Sequence, residues 1–224
     1  MNWKKSESAL STRDGNPQLR VTIKICGLTR RQDAEAAVEL GADFLGFNFY
    51  PPSPRCVSPA LARAMQADLP ETAVSVGVFV NAEAERIREI QQAANLDLIQ
   101  LHGDEPPEFC AGLGLPVIKA FRVAGPEDLA RLAEYRVWAA LVDSKTIEYG
   151  GSGQTADWDL ASQAARQAPR LFLAGGLTPD NVAFAIRVVR PWAVDAASGV
   201  ESAPGVKDKD KMKRFIEAVR NATG

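Results

Sequence analysis

The strongest constraint on the fold is a repeat of short apolar runs, each followed by a segment with helical periodicity. The run at 21–25 is rich in β-branched residues, and Arg31–Leu40 then carries alanine, valine and leucine at helical spacing before Gly41. The unit recurs roughly every 25 residues, slightly less than the ~30 of a typical strand–helix–strand unit. Apolar strands that alternate with helices predict an α/β protein with a parallel sheet covered by helices.

Eight such units can be counted along the chain, which is the number that closes a (β/α)₈ barrel, the TIM barrel. An open doubly wound sheet is the alternative, but it seldom needs eight consecutive regular units. The 224 residues fit one barrel, and no linker or change in composition divides them. We therefore predict one barrel domain at 19–224, preceded by a polar, mobile extension at 1–18.

The pattern predicts most individual elements of the barrel. The strands are expected at 21–25, 44–49, 74–80, 98–101, 117–120, 138–142, 171–173 and 192–195. The helices are expected at 31–40, from 59 onward, and at 83–94, 127–135, 158–168, 181–189 and 209–219. Either Thr29 or Asp33 is expected to cap the first helix, and Ser58 with Pro59 to open the second.

Composition excludes several classes of partner. The net charge of −2 and pI near 5.6 leave no electrostatic footprint for nucleic acid or an anionic membrane. The apolar runs are far shorter than the ~20 residues that span a bilayer. Residues 1–18 lack the apolar core of a secretory signal. We expect a cytoplasmic protein that acts on a small molecule, and its charged helix faces favour a monomer, with a homodimer as the alternative.

Cysteine and histidine usage narrows the chemistry further. Cys26, Cys56 and Cys110 are widely spaced and odd in number, which argues against a disulfide framework and fits a reducing compartment. The single histidine, His102, excludes an HExxH zinc site and any cluster of several histidines. Cys56 and Cys110 are interpreted as structural, and no metal site is expected.

Polar residues follow several of the predicted strands, and in this fold active sites lie at the carboxyl ends of the strands. Each of these residues alone is more simply explained as part of a solvated loop, but their joint placement favours a site. They are Cys26, Arg55, His102, Asp143, Asp195, the glycines Gly175 and Gly176, and Ser198 with Gly199.

The clearest chemical signal is a pair of small-residue loops. Gly175-Gly176 follows the seventh strand and Ser198-Gly199 the eighth, the place where barrels bind phosphate through backbone N–H groups. Two adjacent glycines are explained about as well by a plain turn. Together the two loops predict a phosphate site.

Cys26 and Asp143 form a candidate acid–base pair on opposite sides of the barrel mouth. A thiol is a usable base if nearby positive charge lowers its pKa, and Lys24 lies two residues back on the same face of the strand. A carboxyl at 143 can donate a proton if its surroundings raise its pKa. The alternatives are a small buried hydrophobic residue at 26 and a helix-capping carboxylate at 143.

Arg55 and His102 leave more than one interpretation open. Arg55 follows three prolines in four residues, and a guanidinium held by so stiff a loop suits bidentate binding of a carboxylate. An ordinary surface arginine is the competing explanation. His102 can hydrogen-bond a substrate or simply end a strand.

Taken together, a series of motifs resembles the phosphoribosylanthranilate isomerase family from about residue 20 to the C-terminal helix. The motifs are KICGLTR (24–30), GADFLGFNFYPPSPR (41–55), VGVFVN (76–81), LIQLHGDE (98–105), LVDSKT (141–146), YGGSGQTADW (149–158), LAGGLTPDNV (173–182) and VDAASGVESAPGVKD (194–208). The resemblance implies an Amadori rearrangement in tryptophan biosynthesis. N-(5-phosphoribosyl)anthranilate becomes 1-(2-carboxyphenylamino)-1-deoxyribulose 5-phosphate, without metal or organic cofactor.

The resemblance also implies roles for the strand-end residues. Asp143 matches the general acid that opens the furanose ring, and Cys26 the general base that removes the C2′ proton. Arg55 matches the arginine that binds the anthranilate carboxylate. His102 and Asp195 match supporting positions. Gly175, Gly176, Ser198 and Gly199 match the phosphate loops.

Two departures and three competing functions accompany this resemblance. Gln154 stands where many members of the family carry lysine, and Ala174 where serine is common. The resemblance also allows the glycine-rich stretch at 150–153 to act as a mobile lid. A ribulose-phosphate epimerase needs more than one histidine, and indole-glycerol-phosphate synthase a lysine–glutamate arrangement that is not found. A catalytically silent phosphate sensor would need neither Cys26 nor Asp143.

Overall fold

The computed structural model describes residues 20–70, 72–143 and 158–222, which form a closed barrel of eight parallel strands. Each strand pairs with the next, and the first pairs with the eighth. The strands are β1 Thr22–Cys26, β2 Phe44–Asn48, β3 Val74–Phe79, β4 Leu98–Leu101, β5 Val117–Arg122, β6 Ala139–Asp143, β7 Leu171–Ala174 and β8 Ala193–Ala196. The predicted barrel is confirmed. The predicted extension at 1–18 and the predicted lid within 145–157 lie outside the described residues.

Helices pack around the strands. They are α1 Arg31–Leu40, α2 Pro59–Gln66, α3 Ala84–Ala94, α4 Pro107–Gly112, α5 Pro126–Leu132, α6 Trp158–Gln167, α7 Val182–Val189 and α8 Lys209–Ala222. Between β8 and α8 the chain forms a 3₁₀ turn, Ser198–Val200, and an antiparallel hairpin of β9 Glu201–Ala203 and β10 Val206–Lys207. None of the described helices is both long and apolar enough to cross a membrane.

Local sequence signals set some helix ends as predicted. Gly41 adopts a φ of 101° after α1, and its N–H donates to the carbonyl of Val38. The Ser58 hydroxyl accepts the N–H of Leu61 at 3.1 Å, with Pro59 in the first turn of α2. Both features are local, which explains why the sequence shows them.

The predicted cap of α1 is wrong. The residue before the helix is Arg30, which makes no side-chain cap. Thr29 instead donates its hydroxyl to the carbonyl of Gly205, and Asp33 accepts hydrogen bonds from Arg30 and from the backbone of Lys207. Both candidate caps are therefore used to hold the distant hairpin against the start of α1.

Three short elements were not predicted. Helix α4 has six residues, too few to show helical periodicity, and it begins at a proline pair. Strands β9 and β10 have three and two residues, too few to show alternation. Helix α5 also ends at Leu132, three residues before the predicted end.

Alternation along the strands divides the core into two layers. On β1, Ile23 and Ile25 face the layer between strands and helices, whereas Lys24 and Cys26 face the barrel interior. The amino end of the interior is closed by four aromatic residues, Phe44, Trp138, Phe172 and Trp192, with Phe44 and Phe172 at a ring-centroid distance of 5.3 Å. This apolar floor supports a polar layer nearer the carboxyl ends.

Candidate active site

The carboxyl ends of the strands surround a cavity of about 320 Å³. It is lined by every predicted site residue: Cys26, Arg55, His102, Asp143, Gly175, Gly176, Asp195, Ser198 and Gly199. A neighbouring cavity of about 310 Å³ beside α5 shares only His102 with this set. The predicted residues therefore converge on one site.

Cys26 ends β1, half-buried, with its sulfur against Gly46 of β2. A Cβ built on Gly46 would lie 2.7 Å from Sγ, so only glycine leaves room for the thiol there. Burial raises the pKa of the Cys26 thiol, and Asp195 adds to the increase, while Lys24 and Lys207 oppose it. The positive charge expected beside the sulfur is present, but burial outweighs it, so the thiol form is favoured when the cavity holds no ligand.

Lys24 and Asp195 form a buried ion pair beneath Cys26. The register of β1 and β8 places the two residues side by side, and Lys24 Nζ lies 2.8 Å from Asp195 Oδ2. Burial opposes the charge on Lys24, but Asp195 and Cys26 together outweigh burial and raise the pKa of the ammonium. The second carboxylate oxygen, Oδ1, is buried and accepts no hydrogen bond from the described residues.

His102 connects the β4 end to Asp143 at the end of β6. Its Nε2 lies 3.7 Å from Asp143 Oδ2, and the Gln100 amide nitrogen lies 3.0 Å from Nδ1. An amide that donates to Nδ1 places the proton of a neutral imidazole on Nε2, facing Asp143. Asp143 and Cys26 are separated by β7 and β8 on the shorter way around the barrel, so they are less than diametrically opposed.

Arg55 lies at the end of the proline-rich loop after β2, and its side chain extends across the turn after β1. Its side chain packs on Gly27, where any Cβ would collide with Arg55 Cδ and where φ is 75°. Nε and Nη2 donate to the two carboxylate oxygens of Glu201 at 2.9 and 2.6 Å. One edge of the guanidinium is therefore already used by a carboxylate of the protein.

The loops after β7 and β8 meet closely. Gly175 and Gly176 both have positive φ, and a Cβ on Gly199 would collide with the carbonyl oxygen of Leu177. The backbone N–H groups of Gly176, Ser198 and Gly199 donate to no acceptor in the described part of the chain, although all three residues line the cavity. Such N–H groups suit an anion with several oxygens.

Residues 23–218 match the family model of N-(5′-phosphoribosyl)anthranilate (PRA) isomerase. The chain belongs to this family. The N-(5′-phosphoribosyl)anthranilate isomerase of Myxococcus xanthus is 48% identical over 207 residues, which cover 91% of this chain and 98% of that protein.

Solved structures of the same family also superimpose on this chain. The phosphoribosylanthranilate isomerase of Thermotoga maritima has a TM-score of 0.84 and 47% identity, over 90% of this chain and 99% of that one. A structure of phosphoribosylanthranilate isomerase in complex with reduced 1-(o-carboxyphenylamino)-1-deoxyribulose 5-phosphate has a TM-score of 0.82 and 43% identity, over the same shares.

The sequence does not indicate four polar residues around this cavity. Asn48 and Gln100 line it, and Glu201 and Lys207 lie behind Arg55. Gln100 carries a usable signal, because an amide inside the apolar run at 98–101 is unexpected unless it faces a polar interior. Glu201 and Lys207 belong to a stretch that appeared merely charged.

Two further expectations concern single positions and metals. Ala174, which departs from the common serine, lines the cavity, whereas Gln154 lies outside the described residues. Among the described residues, no group of three or more histidine, cysteine, aspartate or glutamate side chains is placed to hold a metal ion.

Proposed function

We propose that Cys26 and Asp143 are the general base and general acid of this chain. The reaction itself follows from membership of the family: N-(5′-phosphoribosyl)anthranilate is rearranged to 1-(2-carboxyphenylamino)-1-deoxyribulose 5-phosphate in tryptophan biosynthesis. The observation that carries the assignment is that both groups face one cavity, together with Arg55 and the glycine loops.

Asp143 starts the reaction in this mechanism. Its carboxyl gives a proton to the ring oxygen of the furanose, the C1′–O bond breaks, and the anthranilate nitrogen becomes a Schiff base. The position of His102 Nε2, 3.7 Å from Asp143 Oδ2, supports a secondary role in which the imidazole orients the carboxyl. The leaving oxygen thus departs as a hydroxyl.

Cys26 completes the proton transfers. Its thiolate removes the C2′ proton, the electron pair moves toward the Schiff base, and the resulting enolamine tautomerises to the ketose product. A Schiff base acidifies the neighbouring C–H, so a weak base is sufficient. Lys24, buried beneath Cys26 and paired with Asp195, is suited to stabilise the thiolate against the cost of burial.

The two ends of the substrate are assigned to different loops of the cavity. We place the 5′-phosphate against the Gly175-Gly176 and Ser198-Gly199 loops, with hydrogen bonds from the N–H groups of Gly176, Ser198 and Gly199, and the anthranilate carboxylate on Arg55. The relative solved with a reduced carboxyphenylamino-deoxyribulose 5-phosphate holds a ligand with both of these anionic groups, which supports the assignment.

The test is turnover by the purified full chain, followed as loss of phosphoribosylanthranilate fluorescence. Asp143→Asn keeps the shape of the carboxyl but removes the proton, and we expect kcat to fall about 10²–10⁴-fold. Binding of the reduced product analogue should be retained. Asp180→Asn, which neutralises an exposed carboxylate on the same face, is the matched control. Unchanged turnover in Asp143→Asn would exclude it as the acid.

Assembly, location and domain division remain proposals. We propose a cytoplasmic enzyme, since Cys26, Cys56 and Cys110 are all free thiols. The monomer is expected, but a 43% identical structure from Thermotoga maritima is of monomers generated from a dimeric phosphoribosylanthranilate isomerase. Light scattering on the purified chain separates the two states, and limited proteolysis tests the division into 1–18 and 19–224.

A further inference from the structure

A buried charged pair behind Arg55 transfers no proton in the proposed acid–base chemistry. Glu201 and Lys207 lie on the two strands of the β9–β10 hairpin, and their side chains are 4% and 0% exposed. Charged residues are seldom buried so completely unless they are paired and hydrogen-bonded. Their contacts therefore indicate what the pair is for.

The Lys207 ammonium group donates all three of its protons to acceptors within the protein. Nζ donates to the carbonyl oxygens of Cys26 and Ala197 at 2.5 and 3.1 Å, and to Glu201 Oε1 at 2.7 Å. An ammonium has three protons, so no donor remains for a ligand. Lys207 thus joins the end of β1 and the loop after β8 to Glu201.

Glu201 passes this connection on to Arg55. Its Oε1 accepts from Lys207 and from Arg55 Nε, and its Oε2 accepts from Arg55 Nη2 at 2.6 Å. Burial opposes the charge on Glu201, but hydrogen bonds from Arg55 and Lys207 outweigh it and lower the pKa of the carboxyl. Two parallel hydrogen bonds fix the plane of a guanidinium as well as its position.

The opposite edge of the Arg55 guanidinium remains available. Nη1 donates to no acceptor in the described part of the chain, and Arg55 lines the cavity with 23% of its side chain exposed. A guanidinium has five N–H donors, and the Nη1–Nη2 edge can bind a second carboxylate end-on while Glu201 keeps the Nε–Nη2 edge.

We propose that Glu201, held by Lys207, is a positioning residue that presents the Nη1–Nη2 edge of Arg55 to the anthranilate carboxylate. The inference rests on the proposed role of Arg55. A substrate carboxylate that took the Nε–Nη2 edge instead would deprive the buried Glu201 carboxylate of both hydrogen bonds from Arg55, which is unfavourable. Substrate and Glu201 therefore occupy different edges of Arg55 at the same time.

The experiment compares two ligands in the full-length chain by calorimetry. One is reduced 1-(2-carboxyphenylamino)-1-deoxyribulose 5-phosphate, and the other is the same molecule without the ring carboxyl. In Glu201→Gln an amide N–H replaces an acceptor that faces Arg55. We expect binding of the carboxylated ligand to weaken about ten-fold, the size of one lost charged hydrogen bond. Binding of the other ligand should change less than two-fold.

Steady-state kinetics provides a second readout. We expect KM of Glu201→Gln to rise with kcat changed less than about three-fold, since positioning of a remote carboxylate acts on binding. Glu201→Asp keeps a negative charge beside Lys207, but its shorter side chain draws the carboxylate away from Arg55. If Glu201→Gln fails to fold, Glu201→Asp should show the same selective loss of binding for the carboxylated ligand. Glu217→Gln, an exposed carboxylate on α8, is the matched control.

Arg55→Met separates failure of this inference from failure of the proposed function. If Arg55→Met weakens only the carboxylated ligand and the Glu201 variants bind it as tightly as wild type or more tightly, the positioning role is overturned and the role of Arg55 stands. If Arg55→Met does not discriminate between the ligands, the carboxylate assignment itself falls, and the inference falls with it.

Discussion

The two halves of the barrel interior are built from the same strands yet differ completely in character. Toward the amino ends, Phe44, Phe172 and their tryptophan neighbours pack in edge-to-face and tilted pairs. Toward the carboxyl ends, Lys24 and Asp195 are buried as charges beside Cys26. On β8 the side chain that faces the interior changes from the apolar Ala193 to the charged Asp195 within two residues.

The comparison shows how stability and chemistry are separated along one axis. The half toward the amino ends of the strands gains free energy from buried aromatic area, since each such ring removes 150–250 Å² from water. The half toward the carboxyl ends holds buried charges. Such a pair stabilises the fold little, but removal of one partner destabilises it strongly. We therefore expect substitutions in the aromatic floor to lower stability without changing turnover, and substitution of Cys26 to lower turnover without changing stability.

The largest effect expected is from Cys26→Ala. Loss of the proposed base should lower kcat about 10³-fold or more, while the melting temperature changes little, because the thiol is small and faces the cavity. Fluorescence-monitored turnover and thermal melting measure the two quantities on the same sample.

Cys110→Ala is the matched control for Cys26→Ala. Cys110 is 3% exposed within the core between strands and helices. We expect this variant to lose about 1 kcal/mol of unfolding free energy and to keep its kcat. Equal losses of activity in the two variants would mean that Cys26 acts through the fold and not as a base.

The next effect in size is that of Phe172→Ala in the aromatic floor. Truncation of a fully buried phenylalanine should lower the free energy of unfolding by about 3–5 kcal/mol, measured by urea titration. At a temperature where the variant is folded, KM should change less than about three-fold.

Phe184→Ala provides the comparison for the floor. Phe184 is 51% exposed on α7 and packs only in part, against Trp158. We expect a loss below about 1 kcal/mol. A Phe172→Ala variant that raised KM strongly while melting normally would contradict the separation between the two halves.

The smallest effect expected is a shift in the pH dependence of Cys26 reactivity. Lys24 lowers the pKa of the thiol and Asp195 raises it, with Lys24 the larger influence. Lys24→Met should therefore move the alkaline rise of kcat/KM to higher pH. The double variant Lys24→Met with Asp195→Asn, which removes both charges, should lie between wild type and the single variant.

Iodoacetamide alkylation of Cys26 measures the same pKa without substrate. Cys56 is exposed and must first be replaced by serine, whereas burial raises the pKa of the Cys110 thiol to about 11 and keeps it slow to react. A pH profile of Lys24→Met that moved to lower pH would show that Lys24 does not stabilise the thiolate.

Sequence alone predicts the parts of this molecule that repeat or that are local. The eight strand–helix units follow from periodicity, and the convergence of Cys26, Asp143 and the glycine loops follows from their place after strands. The Arg55–Glu201 pair joins residues 146 positions apart, and no local pattern indicates such a contact. The hairpin that carries Glu201 is likewise too short to show alternation.

Electrostatic balance was the other feature that could not be predicted. Lys24 is visible in the sequence two residues before Cys26, and its effect on the thiol was anticipated with the correct sign. The opposing effect of burial depends on how β2 packs against the sulfur, through Gly46. Whether the pKa of the Cys26 thiol is raised or lowered overall therefore depends on packing, which the sequence does not show even when each contributing residue has been named.

The close contact of Arg55 with Gly27 limits how this site can be redesigned. A side chain at 27 would displace the arginine and would also strain a backbone with φ of 75°. Substitutions at position 27 should therefore not be tolerated. Gly27 joins Cys26, the proposed base, to Arg55, the proposed anchor of the carboxylate, as one unit. An engineer who wants an enzyme for a substrate without the carboxylate should shorten residue 55 and leave residues 26 and 27 unchanged.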